Sequence, residues 1–328
     1  MAAEHKYNTS ERTGMMPIMT NGLSWLPPHL VGYGRRDEQR HGTRRVRPRS
    51  RNLEQAGPRA RPVNQGFDML GLISELTELG ISEPERTEAM RDLLQLAVHA
   101  HGGMTRWRQL TEISAHVSIS GALWGSKGHP DVLADTHVTL DPHRQRISYD
   151  PFITADQRSI VTPDYTAIET HDGRVIADRA NPRAAFAGHT PTTPWDELHV
   201  AYFSGYAMWN YLTLPFLLTH PGMQLQELEA HQEDGQAWRR LEATFPDSLA
   251  THNRIQTFYF DHDGLLSRHD YNADVFGGTP AANYSSGHKT FGGIVFPTQR
   301  RVVPLRPDGS TLPEPILVAI DLYDAALH

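Results

Sequence analysis

Ile113-Ser114-Ala115-His116-Val117-Ser118-Ile119-Ser120 alternates apolar and polar side chains with a period of two. Successive side chains of an extended chain point to opposite faces, so this octet presents one apolar and one polar face, as a half-buried strand does. His137-Val138-Thr139-Leu140 and Arg146-Ile147-Ser148-Tyr149 repeat the pattern, with Gly125, Gly128-His129-Pro130 and Asp141-Pro142 as turn signals between them. Tyr165 to Glu169 and Arg174-Val175-Ile176 flank His171-Asp172-Gly173, a good hairpin turn. Further strands are expected at Gln224 to His231, Trp238 to Thr244, Arg254 to Phe260, Leu265 to Tyr271, Val295 to Val303 and Ile316 to Leu322. Short strands joined by local turns predict an antiparallel meander rather than parallel βαβ units.

Two segments break this pattern. Ahead of the strands, Phe67, Leu70, Leu72, Ile73, Leu76 and Leu79 have helical spacing up to Gly80, and Ser82 stands three residues before Glu85 as in a capping box. Met90, Leu93, Leu94, Ala97 and Val98 continue on one stripe to His101-Gly102-Gly103, where glycine closes the helix. Leading helices are therefore expected over 67–101. In mid-chain, residues 195–220 carry Tyr202, Phe203, Tyr206, Trp209, Tyr211 and Phe216 in a stretch that is apolar nearly all round, which predicts a buried helical insertion. Residues 1–66 are dense in arginine between Arg35 and Arg61 and poor in apolar side chains, so a disordered extension is expected there. That extension is either an anion- or RNA-binding arm or a loose leader ahead of a later start such as Met69 or Met90. Residues 67–328 should form a single domain.

The second half has a rhythm of its own. Trp238-Arg239-Arg240-Leu241-Glu242-Ala243-Thr244-Phe245-Pro246 is followed by Gln256 to Leu266, by Arg268-His269-Asp270-Tyr271, by Gly292-Gly293-Ile294-Val295-Phe296-Pro297-Thr298 and by a strand ending Ile320-Asp321-Leu322. With Ala100-His101-Gly102-Gly103 and Trp107 ahead of it, this resembles the bacterial lipoprotein-carrier superfamily of periplasmic lipoprotein chaperones and mycobacterial lipid carriers. The resemblance spans about residues 88–328. It implies an α+β, mainly antiparallel β fold: a strongly curved sheet, a half-barrel, wrapping helices around an apolar cavity that holds acyl chains.

Independently, a single sheet of this size must cover its inner face, and few bulky side chains on a curved sheet either leave a hollow or complete the core. If there is a hollow, Tyr202, Tyr206, Trp209, Tyr211 and Phe216 should line it, joined by Arg254, Tyr259, Tyr271 and His288 from the strand half. Two function classes follow. One is binding or carrying of a lipophilic small molecule. The other is an enzyme acting on such a molecule, with His252, His269 and Asp270 in proton transfer. Period two puts Arg268 and Asp270 on one face and His269 and Tyr271 on the other; pairing through Gly264 would bring Arg254 and Gln256 to the Asp270 face and His269 near Tyr259. His252 with Asp270 is the most economical acid–base pair, and the same groups also suit structural ion pairing.

Other patterns carry less. Asp261-His262-Asp263-Gly264 sits between two strands, where aspartate and glycine serve a turn. His252, His269 and His288 match no zinc spacing, so no metal is expected, and no phosphate loop, dinucleotide fingerprint or nucleophile elbow is present to imply a cofactor. Cysteine is absent, and the net charge of −7 over 328 residues argues against a specific nucleic-acid partner. No apolar run approaches a membrane span, and Met15-Met16-Pro17-Ile18-Met19 is too short for a secretory core, which makes the cytoplasm the default location.

Overall fold

The computed structural model describes residues 93–328, all within one structural unit, 64–328. The expected disordered arm over 1–66, the helix from Phe67 and the capping box at Ser82 lie outside the described residues. Thirteen strands form one antiparallel sheet. Its first half is β1 (Ile113–Ser120), β2 (Leu133–Asp141), β3 (Arg146–Asp150), β4 (Gln157–Val161), β5 (Tyr165–Thr170) and β6 (Val175–Ala180). Its second half is β7 (Gln224–Glu233), β8 (Gln236–Thr244), β9 (Ile255–Phe260), β10 (Leu266–Ala273), β11 (Thr279–Ser286), β14 (Gln299–Pro304) and β15 (Val318–Leu327). β1 pairs with β15, joining the two meanders, while β6 and β7 are the open edges. β12 (Lys289–Phe291) and β13 (Ile294–Phe296) make a separate hairpin.

The octet at 113–120 behaves as its alternation dictates: Ile113, Ala115, Val117 and Ile119 are buried and the residues between them half-buried. Val295 to Val303, expected as one strand, is two elements. Pro297, which has no N–H to give a ladder, separates β13 from β14.

Helix α1 (described over 93–100) ends at Gly102 and α2 (Gly103–Trp107) follows; α3 is Ala122–Ser126. Gly102 has φ +112°, and a Cβ there would stand 2.2 Å from the Gly293 carbonyl oxygen, so only glycine lets this turn seat against the β12–β13 hairpin. The connection from β6 to β7 is made by α4 (Glu197–Thr213), in which every residue from Leu198 to Thr213 is buried. Asp196 caps it, accepting the His199 N–H at 2.8 Å. Gly205 lets it lie close on β4, since a Cβ there would meet the Val161 side chain at 2.8 Å.

One helix touching distant strands fixes the curvature. Tyr149 on β3 donates to the Ser204 carbonyl at 3.0 Å, and the Tyr211 and Tyr271 hydroxyls, the latter on β10, lie 3.0 Å apart. β3 and β10 are six places apart in the sheet, about 29 Å if it were flat, whereas Ser204 and Tyr211 are about 10 Å apart along the helix. The sheet must therefore curl around α4. It is a half-barrel with the helix in its concavity.

Candidate functional site

The helix-covered face of β9, β10, β11 and β14 holds a row of buried polar side chains. His252, in the connection between β8 and β9, stacks on Tyr271 with ring centroids 3.7 Å apart. Its Nε2 lies 2.9 Å from the Tyr211 hydroxyl and its Nδ1 3.4 Å from that of Tyr206. Burial, with Arg183 adding to it, pushes this imidazole down to about 3, so it is neutral. His269 lies flat against Phe258 and donates from Nε2 to Gln256 Oε1 at 2.6 Å. Gln256 is held in that orientation by its own bonds to Thr251 and the Asn253 carbonyl. That leaves His269 Nδ1 a buried acceptor with no partner, on a ring whose pKa burial also drives far down, with His252 and Arg300 adding to it.

Beside His269 on β11 is Asn283, fully buried, its amide near the Tyr211 hydroxyl but making no well-formed hydrogen bond. Two residues on, and on the same face, Ser285 pairs with Arg300 of β14. Arg300 is buried and donates to Ser285 Oγ at 2.9 Å and to the Tyr211 carbonyl at 3.0 Å, with its guanidinium 4.9 Å from the Tyr211 ring centre. No carboxylate among the described residues forms an ion pair with it. The Tyr211 carbonyl belongs to the last turn of α4, so the helix end offers partial negative charge, worth about 0.3–1 kcal/mol and up to about 2 when partly buried. Taking a cation out of water costs several kcal/mol. The balance is unfavourable, and burial pushes the guanidinium down to about 10.

Asp270 is on the opposite face. β10 pairs with β9 through an irregularity between Leu266 and Arg268, after which His269 faces Phe258 and Asp270 faces Thr257. A one-residue slip exchanges every side chain between faces. Hence Gln256 joins His269 and not Asp270, Tyr259 donates to Asp270 at 2.7 Å, and both His252 and His269 are on the helix side, their rings 6.5 Å apart. Arg268 grips Asp270 through Nε and Nη2 at 2.7 and 2.8 Å and reaches Glu233 at 2.8 Å. The structure does not bring Asp270 to either histidine.

Of the other expected residues, Arg254 is largely exposed beside Asp247. His288 is half-buried with its ring 6.0 Å from that of His101. Asp261 accepts the N–H groups of Asp263 and Leu265, as the turn reading requires. Among the described residues no group of three or more histidine, aspartate or glutamate side chains is close enough to hold a metal ion, and no helix is long and apolar enough to cross a membrane. Ser285, Asn283 and Arg300 were not expected. β11 reads Thr-Pro-Ala-Ala-Asn-Tyr-Ser-Ser, without alternation, and Arg300 stands beside Arg301, which hides its inward position.

The insertion aromatics pack tightly. The void between Phe203, Ala207, Tyr211, Tyr271 and Ile320 is about 20 Å³, room for one water-sized group. Tyr202 and Tyr206 are buried along α4. At the C-terminal end of α4 a groove of about 370 Å³ opens, its lining including Trp107, Trp209, Phe216 and Leu217 together with the polar Arg108, His143 and His220. Trp107 and Phe216 stack in it at 4.2 Å, and Trp209 Nε1 donates to the Asp141 carbonyl at 2.8 Å. Trp209→Ala and Phe216→Ala should each lower stability by about 3 kcal/mol, the low end for such truncations because the space opens on the groove and not into a sealed cavity. Urea unfolding would check it; a loss below about 1 kcal/mol would mean that the rings are not core.

No family of known sequences matches the chain, and no curated protein does. Among solved structures, a LolA superfamily protein from Nitrosomonas europaea is similar at 12% identity over 73% of this chain and 93% of that one, with a TM-score of 0.43. A DUF1329 family protein from Desulfovibrio piger is similar at 13% identity over 73% and 92%, also at 0.43. A domain from Vibrio parahaemolyticus, described in terms of outer membrane lipoprotein sorting, matches at 9% identity over 71% and 91%, at 0.42. The expected cytoplasmic location is corrected by these neighbours, since outer-membrane lipoprotein sorting is among their descriptions. That expectation rested on a missing apolar leader, which fixes no compartment. At these identities the likeness is one of fold.

Proposed function

We propose that the protein binds or carries a lipophilic small molecule or acyl chain on the concave side of its sheet, reached through the groove at the C-terminal end of α4. The observation that carries this reading is the groove itself. Its volume is within the roughly 300–1,000 Å³ of ligand sites, and aromatic side chains line it together with a few polar ones, which is the make-up of a site for an amphiphile. The same superfamily that the sequence rhythm resembles is named for carriage of lipid-bearing molecules, in keeping with this reading. Acid–base catalysis by His252, His269 and Asp270 has less support, because the carboxylate faces away from both rings and the rings are held neutral.

Native mass spectrometry of the purified chain, before and after addition of dodecanol, tests it. The expected result is a co-purifying or added lipophile at one per chain. Thr219→Trp, at an exposed position on the groove wall, should abolish that occupancy without lowering the melting temperature. A protein that arrives empty and takes up no dodecanol would sink the proposal.

A further inference from the structure

Among the described residues Arg300 is a buried cation with no carboxylate paired to it, in a row that also contains the amide of Asn283, which makes no well-formed hydrogen bond. β11 and β14 bring them together: Ser285 is opposite Arg300, and Asn283 is the same-face neighbour two residues before Ser285. Such diagonal neighbours are within reach of long side chains. Arg300 spends two of its five N–H groups on Ser285 and the Tyr211 carbonyl. Asn283 has two further donors and is fully buried, with the Tyr211 hydroxyl near one of them but no well-formed hydrogen bond made. Buried polar atoms are nearly always partnered, so an amide of this kind on the same face as an unneutralised guanidinium marks a place for a ligand atom.

We infer that Arg300 and Asn283 bind the anionic head group of the lipophilic ligand, a carboxylate or phosphate whose oxygens accept from the guanidinium and the amide. This rests on the reading of the concave side as a lipophilic site and gives that ligand its polar end. A water-sized void beside Tyr211 and Tyr271 admits no head group, so the ligand oxygen takes the place of the Tyr211 carbonyl on Arg300. The carbonyl is a neutral acceptor and a carboxylate or phosphate a charged one, and charge-assisted bonds are roughly twice as strong, which gives the exchange its direction. His269 Nδ1 is an acceptor and takes no part in holding the anion; it suits a head group that keeps one hydroxyl, as a phosphate monoester does.

Binding of dodecanoate, dodecyl phosphate, dodecanol and methyl dodecanoate to the full chain, followed by calorimetry at pH 7, tests the inference, with acetate and inorganic phosphate as tail-free anions. The two anionic amphiphiles should bind at least about tenfold more tightly than the two neutral ones. Ser285→Asp places a carboxylate where the Ser285 hydroxyl meets Arg300. It should raise the melting temperature and bring the acid and the alcohol to within about twofold, leaving dodecanol affinity within about threefold of the parent. Equal affinity for dodecanoate and dodecanol in the parent would overturn the head-group assignment while leaving the carrier reading intact. A preference that survives Ser285→Asp would overturn it as well. Binding of acetate or phosphate without any amphiphile would replace it by a free-anion site and overturn the carrier reading, and no binding of any probe would overturn both.

Discussion

Lowering the pH from 7 to 5 should destabilise the fold by roughly 6 kcal/mol, because three imidazoles are buried in the neutral form. Burial pushes His252 down to about 3 and His101 down to about 4, and His269 lies well below its ordinary value. An unfolded histidine titrates near 6.5. Below that value the unfolded chain takes up protons that the native chain refuses, so acid favours unfolding. The contribution of each ring is therefore complete above about 6.5 and is lost as the pH falls toward the folded value. Between pH 7 and 5 each ring loses about 2 kcal/mol. The surroundings give little relief: His252 faces Tyr206, Tyr211 and Tyr271, and Arg300 opposes protonation of both His101 and His269, although the Ala97 carbonyl, 2.8 Å from His101 Nδ1, favours it there. Urea midpoints measured across this range should fall steadily, and His269→Gln should flatten the slope by about a third. A midpoint that is level from pH 7 to 5 would show that these rings are not buried neutral.

The strands with strong alternation were legible in the sequence, since Ile113 to Ser120 shows its faces in its own side chains. β11 was not, because its buried Ala, Asn and Ser are residues of low β propensity and do not alternate with polar ones. The faces of β9 and β10 were legible singly but not in relation to each other. The irregularity after Leu266 shifts the pairing by one, and nothing in Asp261 to Leu266 announces it. The site inherited that uncertainty. His252, His269 and Tyr271 were recognisable as candidates, but period two put the two histidines on opposite faces, and the neighbours Gln256, Asn283 and Arg300 depend on register across three strand pairs. Trp209 and Phe216 were visible as an apolar run, and the groove they line depends on where α4 ends against Trp107.

Asp270→Ala should cost about 3–5 kcal/mol, since it strands a charge that has no other way out of the protein. Arg268 is only 1% exposed, lies between the Tyr259 and Tyr284 rings at 4.9 and 5.4 Å, and also donates to the Gly309 carbonyl at 3.1 Å. Two tendencies meet in the pair. Burial pushes the Asp270 carboxyl up, whereas the guanidinium, although burial works against it, is held above its ordinary value by its bonds to Asp270. The bidentate geometry decides for the charged form of both, because only a carboxylate accepts two parallel N–H bonds at 2.7 and 2.8 Å together with the Tyr259 hydroxyl. Removing Asp270 leaves Glu233 as the remaining anion, and Glu233 already accepts from Tyr284 at 2.5 Å. Replacing both members, Arg268→Met with Asp270→Leu, should recover most of the loss, because the buried guanidinium goes with its partner and Glu233, which is partly exposed, keeps the Tyr284 hydroxyl. Dodecanol binding should be unchanged in the double variant, as the whole network is on the face of the sheet away from α4. Chemical denaturation of the two variants beside the parent reads both effects. If Asp270→Ala cost less than about 1 kcal/mol, the network would be a surface ion pair in energetic terms, whatever its geometry.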